Sequence, residues 1–289
     1  MVLTCTADRE GRLSSFLRGE MKLSSSLMNK LKWGDAIQVN GKPEHTNYPC
    51  VPGDRITVDL QEPEPEYEAQ QGPLTIIYED PWLLAVDKPS GMLIHPSRVR
   101  NQGTLANFVM GYYQKTGQNS LFHPLTRLDR DTFGLVLLAK NAYTHTLLQQ
   151  TAVEKLYHAV TLGGPEQDRG IIDEPILRKP LPSLLRQVSP EGKPSVTEYT
   201  VLKRQGQFTK LALKAVTGRT HQLRVHCAYC GFPILGDPQY GSPACGEISR
   251  QLGLSSQLLC AYSLKLSHPV TGEPLELISQ MDAELPGEP

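Results

Sequence analysis

Apolar positions change their spacing twice along the chain. Over the first sixty residues, Leu13, Phe16 and Leu17 share a helical face, and Ser24-Ser25-Ser26 offers an N-cap ahead of Leu27, Met28 and Leu31. Trp33-Gly34 stops this second helix. Ile37-Gln38-Val39 then reads as a strand entering a tight turn at Asn40-Gly41. Pro52-Gly53-Asp54 makes another turn, and Ile56, Val58 and Leu60 alternate as a strand. Next comes an acidic, proline-bearing stretch, Glu62 to Gly72, whose prolines favour an extended backbone and whose like charges repel. From about residue 73 the chain is strand-rich with interspersed helices. Ile76-Ile77-Tyr78 and Leu83 to Val86 flank a turn at Asp80-Pro81, Thr104 to Tyr113 predicts a helix, and Leu135 to Ala139 is a continuous apolar run expected to be a buried strand. Residues 153–163 alternate, with Tyr157, Ala159 and Thr161 on one face and Leu156, His158 and Val160 on the other. The expected organisation is a module over 1–60, a linker over 61–72 and a larger domain over 73–289, long enough to form a core of its own.

Composition adds little until it is read by region. Hydrophobic content of 39% and charged content of 20% are those of an ordinary globular protein. No apolar run approaches the roughly 20 residues of a membrane span, and the N-terminus lacks the basic start and apolar core of a secretory signal; the cytoplasm is the expected location. The net charge of −1 conceals an uneven spread. Residues 61–80 and the tail from 273 are acidic without a Lys or Arg, whereas residues 81–272 hold 21 Lys and Arg against 12 Asp and Glu, an excess of nine. Attraction to phosphates follows that local field.

The six cysteines are scattered, and Cys227 and Cys230 form the one Cys-x-x-Cys pair. A structural zinc site usually shows a second pair, and a spacing of three also places both thiols on one side of a short helix, so core packing is expected here. His221 and His226, five apart, suit no usual zinc pair. No metal site and no cofactor motif is expected.

The densest chemistry lies at Thr126-Arg127-Leu128-Asp129-Arg130, ahead of the apolar run. A carboxylate beside a buried strand is costly unless it is paired or used. Alone, this loop fits a structural Arg/Asp pair capping the strand as well as it fits a reactive carboxylate. Other segments carry little singly: Lys88-Pro89-Ser90-Gly91 and Gly236-Asp237-Pro238-Gln239-Tyr240-Gly241 are turns, and a strand tyrosine such as Tyr157 is more often core. Thr217-Gly218-Arg219-Thr220-His221-Gln222-Leu223-Arg224-Val225-His226 concentrates charge after a strand at 211–216.

Taken together and in this order, the segments resemble the RluA-type pseudouridine synthases, whose loop reads His-Arg-Leu-Asp-x-x-Thr-Ser-Gly-Leu and whose later motifs read Lys-x-Tyr, Thr-Gly-Arg-x-His-Gln and Gly-Asp-x-x-Tyr-Gly. The resemblance covers roughly residues 74–280. Thr126, Phe133 and Cys260 depart from the usual His, Ser and His. The resemblance implies a mixed α/β (α+β) domain with a central antiparallel sheet and an active-site cleft. It implies isomerisation of uridine to pseudouridine without a cofactor, with Asp129 as the catalytic carboxylate. Attack on the sugar, addition to the ring and elimination to a glycal are all compatible with that role. Tyr157 is expected to stack on the flipped base and relay a proton. Arg219, freed by Gly218, is expected to pair with Asp129 and keep it ionised. Arg127, Arg130, His221, Gln222 and Arg224 are expected to bind substrate, with Arg127 filling the gap left by the flipped base and His221 and His226 facing RNA. The N-terminal order, with Val39-Asn40-Gly41-Lys42 and Pro52-Gly53-Asp54, resembles the alpha-L RNA-binding domain named after a small-subunit ribosomal protein. Arg12, Arg18, Lys22, Lys30 and Lys32 would supply its phosphate contacts; a packing appendage is the alternative. Expected partners are therefore RNA, ribosomal ahead of transfer RNA, with no DNA, no membrane and a monomeric state. The competing functions are an RNA-binding assembly factor with a vestigial synthase domain and a hydrolytic nucleosidase.

Overall fold

The computed structural model describes residues 2–60, 66–97 and 99–287. The N-terminal part is a four-stranded antiparallel sheet in the order Val2–Thr6, Arg55–Asp59, Ile37–Val39, Lys42–Pro43. Two short helices, Leu13–Gly19 and Ser25–Leu31, cover it, and Ser24 caps the second by accepting a hydrogen bond from the Leu27 amide at 3.1 Å. Leu13, Phe16 and Leu17 meet Ile37, Val39, Ile56 and Val58 in one core, as the spacing requires. That core does not close on itself. Tyr143 and Leu147 of the helix Ala142–Gln150 are buried in it, Trp82 and Val270 pack against it, and the Tyr143 hydroxyl donates to Met21 O at 2.8 Å. The first sixty residues thus close their core on the larger part of the chain, whose own clusters lie wholly within residues 67–285.

The remainder is built on one ten-stranded sheet. Its main path runs Arg169–Asp173, Val196–Gln205, Phe208–Ala215, Val153–Leu162, Leu259–Ser267, Phe133–Ala139, Leu83–Lys88, Thr75–Glu79. Pairing is antiparallel throughout, save where Phe133–Ala139 meets Leu259–Ser267 in parallel at Phe133↔Cys260 and Gly134↔Ala261. The sheet is thus mixed rather than purely antiparallel. Gly134 makes the junction possible: its φ is +102°, and a Cβ there would lie 2.4 Å from Ala261 O. The central strands are apolar on both faces because both faces are covered. Leu84, Val86, Val136 and Leu138 pack under the helix Leu105–Lys115, while Leu83, Ala85, Leu135 and Leu137 pack on the other side with Leu148, Leu264 and Leu266. The loop ahead of residue 133 is therefore anchored to the most deeply buried part of the molecule. Among the described residues, no helix is long and apolar enough to cross a membrane.

Candidate active site

Asp129 lies in the loop between the strands His123–Pro124 and Phe133–Ala139. Ties from across the fold hold this loop. Thr126, where the resemblance led to a histidine, is buried and accepts a hydrogen bond from the Leu137 amide at 3.0 Å. Lys88 is fully buried and donates from Nζ to the carbonyls of Pro89 and Met92, each at 3.0 Å, and Arg130 at 2.8 Å. Burial pushes its pKa down to about 8, against the pull of Asp131 and Asp129. Ser90 Oγ donates to Asp131 O at 2.9 Å, and Gln257 Nε2 donates to Thr132 Oγ1 at 3.1 Å. The Lys-Pro-Ser-Gly turn is thus one wall of the loop's mounting.

The opposing charge comes from the helix Gln222–Tyr229. His221 precedes it in the left-handed region at φ 58°, a conformation costing a residue with a Cβ about 1–2 kcal/mol. Gln222 staples the preceding turn: its Oε1 accepts from Thr217 Oγ1 at 2.7 Å and from the Arg219 amide at 3.0 Å, and its Nε2 donates to Val196 O at 2.9 Å. With Gln222 facing inward, Leu223, Arg224 and Cys227 follow into the interior. Arg224 donates from Nη1 to Asp129 Oδ2 at 2.9 Å and grips Asp237 bidentately at 2.7 and 2.8 Å. Its Nη2 also donates to Gln239 Oε1 at 2.9 Å, and the guanidinium lies over the Tyr240 ring at 5.0 Å. Burial acts to lower the Arg224 pKa, but Asp237 and Asp129 raise it on balance.

Arg224, not Arg219, is therefore the partner of Asp129. Arg219 lies in the turn ahead of the helix, where its side chain is exposed and donates from Nε to Pro194 O at 3.1 Å. Residue 224 instead lies on the inward face of the helix. His226 is likewise corrected. It is buried, with its ring nitrogens against Thr197 Oγ1 at 2.9 Å and Glu174 O at 3.0 Å, and does not face RNA. Cys227 is buried as expected, but Cys230 at the helix end is exposed. Among the described residues no cluster of three or more His, Cys, Asp or Glu is arranged to hold a metal.

Above Asp129 opens a cleft of 640 Å³ whose walls include His95, Arg127, Lys155, Tyr157, Arg219 and His221. Tyr157 enters from the strand Val153–Leu162; burial and the negative charge of Asp129 push its pKa up to about 12, so it keeps its proton at neutral pH. Burial lowers the Lys155 pKa. His221 Nε2 stands 3.8 Å from Asp129 Oδ2, and its Nδ1 meets the Tyr240 hydroxyl at 2.8 Å. Burial first, then Asp129 and Arg224 in opposite senses, leave the His221 pKa below the ordinary imidazole value. The cleft offers a carboxylate set by one arginine, a neutral phenol beside it, and cationic groups on the rim. Such a set can hold a planar base and act at an anomeric carbon.

Comparison with known proteins decides which chemistry this is. Residues 82–229 match the family model of the RNA pseudouridylate synthases. The chain belongs to that family. The synthase is 36% identical over 262 residues to the uncharacterized RNA pseudouridine synthase YjbO of Bacillus subtilis, covering 88% of this chain and 90% of that protein. It is also 36% identical over 263 residues to the ribosomal large subunit pseudouridine synthase D of Haemophilus ducreyi, covering 86% and 81%. Among solved structures it is similar to human RNA Pseudouridylate Synthase Domain Containing 1, with a TM-score of 0.61, 27% identity, and coverage of 74% and 85%.

Of the residues expected in the synthase's site, Arg127, Asp129, Tyr157 and His221 meet at the cleft with Gln222 and Arg224 behind them. Arg130 does not line it; its guanidinium is exposed and pairs with Asp131 at 2.8 Å. Sequence reasoning missed Asp237, whose fully buried carboxylate fixes Arg224, and Lys88, whose ammonium fixes the loop. The signal for Asp237 lies in the motif Gly236 to Gly241, which alone reads as a turn and which the resemblance includes without giving Asp237 a role.

Proposed function

We propose that this synthase isomerises uridine in structured RNA, with large-subunit ribosomal RNA as its substrate and Asp129 as the reactive carboxylate. The observation that carries this reading is the Asp129–Arg224–Asp237 array at the floor of the cleft. It presents one carboxylate where a flipped base and its anomeric carbon would sit. The reaction breaks the bond from C1′ to N1 and forms one from C1′ to C5. The proton on C5 is lost and N1 gains one, so the change is an isomerisation and requires no external reductant or oxidant. Tyr157, protonated at neutral pH, is placed to stack on the base and carry a proton at the sugar. Arg127 and Arg219, both exposed at the rim, provide charge for phosphates and for the space vacated by the base. His221 lies between Asp129 and Tyr240 and orients the carboxylate.

The substrate assignment draws on relatives named for the ribosomal large subunit. The module over 1–60 serves as an RNA-binding extension, supported by the exposed Arg12, Arg18, Lys22 and Lys30. The polypeptide acts as a cytoplasmic monomer with residues 61–72 joining the module to the catalytic domain. Mapping pseudouridine in total RNA from cells with and without the gene tests the substrate. Loss of a site in large-subunit ribosomal RNA is the expected result, and loss confined to transfer RNA contradicts it.

A further inference from the structure

The wall of the cleft beside Arg127 is backed by a segment from outside the matched motifs. Residues 66–72 run across the helix Leu105–Lys115 and are fastened to it. The Gln70 amide donates to Asn107 O at 3.0 Å, Asn107 Nδ2 donates to Glu68 O at 2.9 Å, and Gln71 Nε2 donates to Gly111 O at 3.0 Å. The fit dictates sequence: a Cβ on Gly111 would stand 1.9 Å from Gln70 O, and one on Gly72 would stand 2.3 Å from the Phe108 ring. What composition reads as a loose linker is here a strap, although its first residues, 61–65, lie outside the described residues.

The strap sets Tyr67 behind the cleft wall, against His95. Its hydroxyl meets His95 Nδ1 at 3.2 Å, and both rings stand edge-on to Phe122, with centroids at 5.9 and 5.4 Å. His95 and Ile94 line the cleft together with Arg127 and Leu128. Burial and the Arg127 charge lower the His95 pKa, while burial raises that of Tyr67, so at neutral pH both rings are uncharged. With Nδ1 engaged by the Tyr67 hydroxyl, Nε2 is the ring nitrogen left for a ligand; it is a donor when the phenol gives its proton to Nδ1 and an acceptor when that proton goes to Glu66. His95 thus offers an uncharged hydrogen-bonding nitrogen next to a guanidinium. Where the arginine serves phosphate, a neutral imidazole nitrogen suits the uncharged polar groups of a nucleotide, those of a base or a ribose hydroxyl.

We propose that His95 contacts the unpaired nucleotide flanking the target uridine, and that Tyr67 is a positioning residue that holds the His95 ring from the strap. This rests on the reading of the cleft as an RNA site, and it gives residues ahead of the catalytic motifs a part in substrate recognition.

The test compares wild type, His95→Ala, His95→Gln, Tyr67→Phe and the double variant Tyr67→Phe/His95→Ala, with tritium release from a [5-³H]uridine-labelled large-subunit ribosomal RNA transcript as the readout. His95→Ala should raise KM about threefold to tenfold with kcat within about twofold, as expected for one lost hydrogen bond to substrate. His95→Gln, which keeps an uncharged hydrogen-bonding group, should recover at least half of that loss. Tyr67→Phe keeps the ring against Phe122 and should raise KM with little change in melting temperature, and it should add nothing in the His95→Ala background. An unchanged KM in His95→Ala, an additive double variant, or a loss confined to melting temperature overturns the proposal. A transcript that wild type leaves unmodified contradicts the ribosomal substrate instead; the same variants are then scored on the RNA that pseudouridine mapping identifies.

Discussion

Arg224 bears on both the chemistry and the fold. It is 4% exposed, and the Asp237 side chain that it grips is 0% exposed. Arg224→Ala would leave that carboxylate buried without its counter-charge, a loss of about 3–5 kcal/mol. For a chain of this size that is a fall of roughly 6–20 °C in melting temperature. It also removes the hydrogen bond at 2.9 Å that sets Asp129 Oδ2, so turnover should fall further than stability alone explains. Circular dichroism locates a temperature at which wild type and variant are both folded, and tritium release is measured there under single turnover. Arg224→Lys keeps the charge but lacks the planar fork and should recover only part of either loss. Arg219→Ala is the internal control: the side chain is exposed, so stability should change by no more than about 0.5 kcal/mol, with KM raised and kcat kept. A variant Arg224→Ala that melts and turns over like wild type, or a collapse of kcat in Arg219→Ala, would refute the assignment of the pair.

Other outcomes follow from the same geometry. Lys88 has a folded pKa depressed to about 8, below the ordinary lysine value of about 10.4, so its proton is lost earlier in the fold than in the unfolded chain. Its burial cost is fully present below about pH 8 and is relieved between there and about pH 10, while the carbonyl of Arg130 loses its charged donor. Single-turnover rates should therefore fall on the alkaline side with a midpoint near 8, and Lys88→Met should be slow at every pH without an RNA-binding defect. A rate flat to pH 9.5 counts against the tie. Removing residues 2–71 uncovers Tyr143 and Leu147 and takes away the strap. The shortened chain should melt lower, bind RNA more weakly and show a shallower dependence of log affinity on log salt; unchanged melting and salt slope would mean that the module is neither docked nor bound to RNA.

The strands and helices that frame the site were legible because their periodicity is strong. The run Leu135–Ala139, the face Leu13-Phe16-Leu17 and the alternation around Tyr157 each gave one answer. The mixed sheet was not legible, because a parallel contact of two residue pairs leaves no pattern beyond a glycine at 134. Asp129 stood out as a carboxylate placed against a buried strand. Its partner did not, since Arg219 and Arg224 are equivalent in a linear reading and only the helix beginning at Gln222 turns the second one inward. The strap escaped for a related reason: its charges and prolines describe how the segment behaves alone, and say nothing of the groove along the helix Leu105–Lys115 that receives it.

In the proposed function the Asp129 carboxylate does the chemistry while the rest of the cleft binds. Asp129→Asn keeps the shape and removes the reactive group, and the Arg224 hydrogen bond can still be accepted by the amide oxygen. Tritium release and direct pseudouridine detection on the substrate RNA, beside a filter-binding titration of the same preparation, test this most directly. Binding within a few-fold of wild type and no pseudouridine are expected; substantial product from the purified asparagine variant would mean that another group does the chemistry.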